Sequence, residues 1–82
     1  MPTVLRIGAY RFHFYSDERG EPAHVHIRSA EGECKIWLNP IILAKNRGLP
    51  AHELRKIERL VYEHQAYLKE KYDDYHRAES GN

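Results

Sequence analysis

The sequence predicts an α+β domain, a small antiparallel sheet of three to four strands followed by a short helix and one long C-terminal amphipathic helix packed on one sheet face. Apolar residues alternate with period two in the first half of the chain and recur every three to four residues in the second. Keeping the two patterns apart, rather than interleaving them, separates α+β from α/β architecture. Gly and Pro fall between the alternating segments, where turns are needed. Eighty-two residues suit one domain with a thin core; residues 1–78 are read as that domain and 79–82 as a frayed tail.

Each element has its own signal. Residues 4–7 form a short apolar strand, and Gly8-Ala9 suits a tight hairpin turn. "YRFHFY", residues 10–15, directs Tyr10, Phe12 and Phe14 to one face and Arg11, His13 and Tyr15 to the other. A polar loop over 16–22 leads into "AHVHIR", in which Ala23, Val25 and Ile27 oppose His24, His26 and Arg28. After the turn "SAEG", the strand "ECKIWL" sets Cys34, Ile36 and Leu38 against Glu33, Lys35 and Trp37. Asn39 reads as an N-cap, Pro40 as a first helical residue and Gly48 as a helix stop, framing a short helix over "IILAKNR". From Ala51 to Tyr75 the apolar positions Leu54, Ile57, Leu60, Val61, Tyr67, Leu68, Tyr72 and Tyr75 mark the long helix, expected to cover Phe12, Val25, Ile27, Ile36 and Leu38.

Composition narrows the function. With 41% hydrophobic and 30% charged residues the chain is globular, and no apolar run approaches the ~20 residues of a membrane helix. The N-terminus lacks the basic and apolar regions of a signal peptide, and a single cysteine, Cys34, makes no internal disulfide, so a cytoplasmic protein is expected. Thirteen Lys and Arg against twelve Asp and Glu leave +1, too little to draw the whole molecule onto nucleic acid. Binding of that kind needs a local patch.

The strand alternation supplies one. A hairpin across "SAEG" pairs Arg28 with Glu33, His26 with Lys35 and His24 with Trp37. One solvent-facing sheet face then gathers Arg11, His13, Tyr15, His24, His26, Arg28, Lys35 and Trp37. Histidine exchanges protons near neutral pH, arginine grips phosphate with a fixed fork, and flat rings stack bases. Metal-free cleavage of RNA needs a base, an acid and cations around phosphate, so His24 and His26 are the catalytic candidates. Arg11, Tyr15, Arg28, Lys35 and Trp37 are the nucleic-acid-binding candidates. A plainly solvated strand face is the bland alternative.

Other chemistries fit less well. His24 and His26 could share a metal ion, but catalytic zinc takes three protein ligands and structural zinc four, and no third ligand has signature spacing; neither a metal nor a cofactor is expected. "HVH" is similar to the histidine element of single-strand nickases, yet the helix tyrosines largely follow the apolar stripe. "HELRKIERLVYEH" lacks the second histidine that a zinc-protease helix places four residues after the first, since position 56 is Lys56. Cys34 is expected in the core.

Over nearly its whole length the chain resembles the small bacterial family catalogued as domain of unknown function 4160. The resemblance rests on "MPTVLRIGAYRFHFYSDERGEPAHVHI", "CKIWLNP" and "LAKNRGLPAHELRKIERLV". It implies one half of a two-gene type II toxin–antitoxin module, with a cognate antitoxin-like partner of the type catalogued as domain of unknown function 2442. Relatives tend to carry a serine cap before the long helix, where this chain has Leu49-Pro50-Ala51, and often aspartate at Asn39. Two readings therefore stand: a toxin-like component acting on RNA or translation through the His/Arg face, metal-independent and ribonuclease-like if an enzyme, or a non-catalytic antitoxin-like or regulatory interaction module.

Overall fold

The computed structural model describes residues 3–16 and 20–79. Five strands, β1 (Thr3–Ile7), β2 (Tyr10–His13), β3 (His24–Arg28), β4 (Glu33–Leu38) and β5 (Ile41–Arg47), lie side by side in chain order in one antiparallel sheet. Two helices follow, α1 (Ala51–Glu63) and α2 (Gln65–Glu79). Of the expected polar loop over 16–22, residues 17–19 lie outside the described residues. So do 80–82 of the expected tail, whereas Glu79 closes α2.

The α+β class holds, with two corrections of detail. "IILAKNR" is not a helix but β5, paired with β4 from Leu38↔Ile41 to Glu33↔Arg47. The sheet is therefore five-stranded rather than three- or four-stranded. Asn39-Pro40, joined by a cis peptide bond, makes a two-residue turn, and the β-branched pair Ile41-Ile42 continues into the strand. Gly48 still ends the element, but as the exit from a strand: its φ is +91°, a left-handed conformation that suits glycine.

The second correction concerns the long helix, which the structure divides at His64, where φ is −112° and ψ 19°. Backbone bonding carries through the break, since His64 N–H donates to Leu60 O at 3.0 Å and Leu68 N–H to His64 O at 2.9 Å. At this point the Gln65 side chain donates to Leu38 O at 2.6 Å and ties the break to the end of β4. Without a serine cap, α1 starts on Pro50, whose carbonyl accepts from Glu53 and Leu54 at 3.0 and 3.1 Å. Asn46 holds the approach by bonding both N–H and C=O of Leu49.

The apolar face of the alternation forms the core, and of the stripe read along the helices Tyr67 is left 41% exposed. Phe12, Val25, Ile27, Ile36 and Leu38 are fully buried in one core with Ile57, Val61 and Leu68 of the helices. Helix α1 packs on β5, and α2 on β3 and β4. The Tyr10 hydroxyl donates to Glu53, fastening β2 to the first turn of α1. That hydrogen bond, with burial and the carboxylate charge, pushes the Tyr10 phenol up to about 12. The opposite sheet face carries the polar side chains.

Candidate functional site

Residues paired across neighbouring strands project from the same face, so the register writes the site out in rows. One row crosses all five strands as Arg6, Arg11, Arg28, Glu33 and Arg47. The next reads Thr3, His13, His26, Lys35 and Lys45, and a third holds His24, Trp37 and Ile42. The pairings read from the sequence, Arg28 with Glu33, His26 with Lys35 and His24 with Trp37, all form.

Glu33 is the hub. Its Oε2 accepts from the Tyr15 hydroxyl at 2.8 Å and lies 3.5 Å from His13 Nε2 and 3.4 Å from His26 Nδ1. Its Oε1 accepts from Arg28 Nη2 at 3.1 Å and Nε at 3.3 Å. The rings pack closely, with His13 stacked on His26 at 5.7 Å and Tyr15 edge-on to His26 at 4.3 Å. Burial alone would raise the Glu33 carboxyl, but the bonds from Tyr15 and Arg28 and the charges around it hold it below the ordinary value of 4.5. Glu33 is thus an anion at neutral pH. His13 is pulled the other way, chiefly by burial, which lowers it below 6.5 against the attraction of Glu33.

A groove of about 290 Å³ opens over this hub, lined by Tyr15, His26, Arg28, Glu33, Cys34, Lys35, Lys45 and Arg47. Among the described residues, four cations against one carboxylate suit an anionic ligand. Cys34, although it borders the groove, is buried, and burial first of all pushes its thiol up to about 12, so it is not the nucleophile.

The structure brings Tyr15, His26, Arg28 and Lys35 of the predicted set together in this groove, and Arg11 borders the next hollow along the row. Trp37 lies under Lys35, whose ammonium is 4.8 Å from the indole centroid and ion-paired with Glu21. His24 is not in the groove lining. It is 1% exposed, packed among His26, Trp37 and Tyr72, with Nδ1 donating to Pro22 O at 2.8 Å. The expectation of a solvent-facing histidine row is corrected here, because His13 and His26 are also buried, 4% and 8% exposed. The rings of Tyr15, Trp37 and Tyr72 pack against the row.

Sequence reasoning passed over Glu33 as the centre of the site, and over Lys45 and Arg47 as its rim. The charge of Glu33 was visible beside Arg28, but its contact with two imidazoles follows from side-chain depth that alternation does not encode. Lys45 and Arg47 were hidden by the helical reading of residues 41–47. Among the described residues, no three His, Cys, Asp or Glu side chains are grouped as a metal centre. Among them too, no helix is long and apolar enough to cross a membrane.

Fold and site together define a small α+β protein with a basic, histidine-lined sheet face. The chain belongs to the family described as Domain of unknown function (DUF4160), whose model matches residues 9–73, from the β1–β2 turn into α2. Comparison with curated proteins and with solved structures gives no match.

Proposed function

We propose that this chain is a toxin-like component of a bacterial toxin–antitoxin pair that cleaves RNA without a metal ion, at Glu33. One observation carries the reading: a single carboxylate held against a phenol, two imidazoles and a guanidinium, at the floor of a groove rimmed by Lys45 and Arg47. A cleavage step uses each group. The ionised Glu33 carboxylate takes the proton of a ribose 2'-hydroxyl as that oxygen bonds to the adjacent phosphorus. Protonated His26 gives its proton to the departing 5'-oxygen as the old P–O bond breaks, leaving a 2',3'-cyclic phosphate. Arg28, with Lys45 and Arg47, balances the charge on the phosphoryl oxygens. Exchange with solvent then removes the proton from Glu33 and returns one to His26, which restores both groups.

The test is incubation of the purified protein with a short RNA in the presence of a chelator, scoring the cyclic phosphate product. Glu33→Gln is expected to lower the cleavage rate by about 10²- to 10⁴-fold, the range for loss of a proton-transfer group. Cleavage undiminished in that variant, or absent from the native protein, refutes the reading.

The interaction-module alternative draws on the outer face of α1, where Tyr62 is 73% exposed beside Arg55, Glu58, Arg59 and Glu63. Expression alone and with the neighbouring gene separates the two. Growth arrest that the neighbour relieves favours the toxin, and no arrest with a stable complex favours the module.

A further inference from the structure

We propose that the hollow between Arg6, Arg11 and Arg28 is a second phosphate subsite, which holds a phosphate of the same RNA strand next to the one presented to Glu33. The inference rests on the RNA reading above. The hollow has a volume of about 300 Å³ and is walled by the three arginines, the Gly8-Ala9 turn and Ser29-Ala30. Ser29 Oγ accepts from Glu31 N–H at 3.2 Å, so its own hydroxyl hydrogen is left to donate. Among the described residues, no carboxylate lines the hollow.

The arrangement is a poor one for folding. Arg6 faces Arg11, and Arg11 faces Arg28, in direct cross-strand pairs, and like charges so placed destabilise a sheet. Arg28 is relieved by Glu33, but among the described residues no carboxylate forms an ion pair with Arg6 or Arg11. A polyanion removes the repulsion, and guanidinium forks match phosphate oxygens in pairs. Arg28 borders both the hollow and the Glu33 groove, so the two sites are continuous. The row from Arg6 to Arg47 spans four strand intervals, about 19 Å at roughly 4.8 Å each. A strand laid along it meets Arg6 and Arg11 at one end and Arg47 at the other.

Binding to 2'-O-methyl hexauridylate, which has no 2'-hydroxyl to react, tests this independently of cleavage. Fluorescence anisotropy is measured over a range of salt with a 5'-hydroxyl and a 5'-phosphate form of the strand, on the full chain and on Arg6→Thr, Arg11→Thr and the double variant. Each substitution is expected to weaken binding about tenfold and to reduce the slope of log affinity against log salt by about 0.7. Melting temperature is expected to hold or rise as the repulsion goes. A larger loss for the phosphorylated form assigns the subsite to a terminal phosphate, and equal losses assign it to an internal phosphodiester. Native-like affinity and slope in the double variant overturn the subsite while leaving Glu33 chemistry intact, and so does a binding loss that merely tracks a fall in melting temperature. If the native protein binds neither strand, the RNA reading fails together with the subsite.

Discussion

Glu33 and His24 show how far single residues could be read from the sequence. Strand alternation placed both on the correct face, because side-chain direction follows from the pleat alone. Depth does not follow from it. His24 reads as an exposed proton-transfer group, yet it is sealed by Trp37, His26 and Tyr72, and the bond to Pro22 O fixes the hydrogen on Nδ1. Glu33 reads as half of a cross-strand ion pair, yet four groups converge on it. The two should therefore respond differently to substitution. His24→Ala removes a buried ring and leaves the Pro22 carbonyl unpaired, and is expected to lower stability by about 2–4 kcal/mol. Urea denaturation measures it, and a midpoint matching the native protein would contradict the burial argument.

Among the elements, the strands before residue 39 and the amphipathic stripe after residue 51 were legible because their apolar periods are unambiguous. Residues 41–47 were not. Asn39-Pro40 before "IILAKNR" and Gly48 after it suit a short helix as well as a strand hairpin. What decides is the partner: β4 offers a free edge in register, and seven residues gain more from a full ladder than from two isolated turns. The divided helix was equally hidden, since the break at His64 comes with a side chain, Gln65, that bonds a distant strand end. Gly48 gives the element-scale test. A Cβ there would lie 2.9 Å from Glu31 O on a backbone with φ of +91°, so Gly48→Ala is expected to destabilise the fold by roughly 1–2 kcal/mol. Chemical denaturation with the slope unchanged checks it, and an equally stable variant would show that the strand exit tolerates a side chain.

For the molecule as a whole, a net charge of +1 conceals a division of labour: Arg6, Arg11, Arg28, Lys35, Lys45 and Arg47 share one sheet face with Glu33, while most acidic residues lie elsewhere. The buried hub makes the fold acid-sensitive. His13 titrates below 6.5 when folded, so the unfolded chain takes the proton first, and the stability present above pH 6.5 is lost as pH falls through the lower folded value. Glu33, held below 4.5, adds stability present above that pH and lost as pH falls through its own folded value. The melting temperature is expected to decline from pH 7 to pH 4, and Glu33→Gln to flatten the lower part of the curve. A melting temperature that rises over that interval contradicts the assignment. The plain chain order of the sheet has a further consequence, one of timing. Every strand pairs with its neighbour in sequence, so each hairpin can close as the chain leaves the ribosome, whereas the apolar side of the sheet gains its cover only when α1 and α2 emerge, on the order of seconds later. The strands that carry Glu33 and the arginines are thus made before the residues that close the hydrophobic core, and the interval between them is when this protein is expected to be most open to aggregation, or to capture by a chaperone.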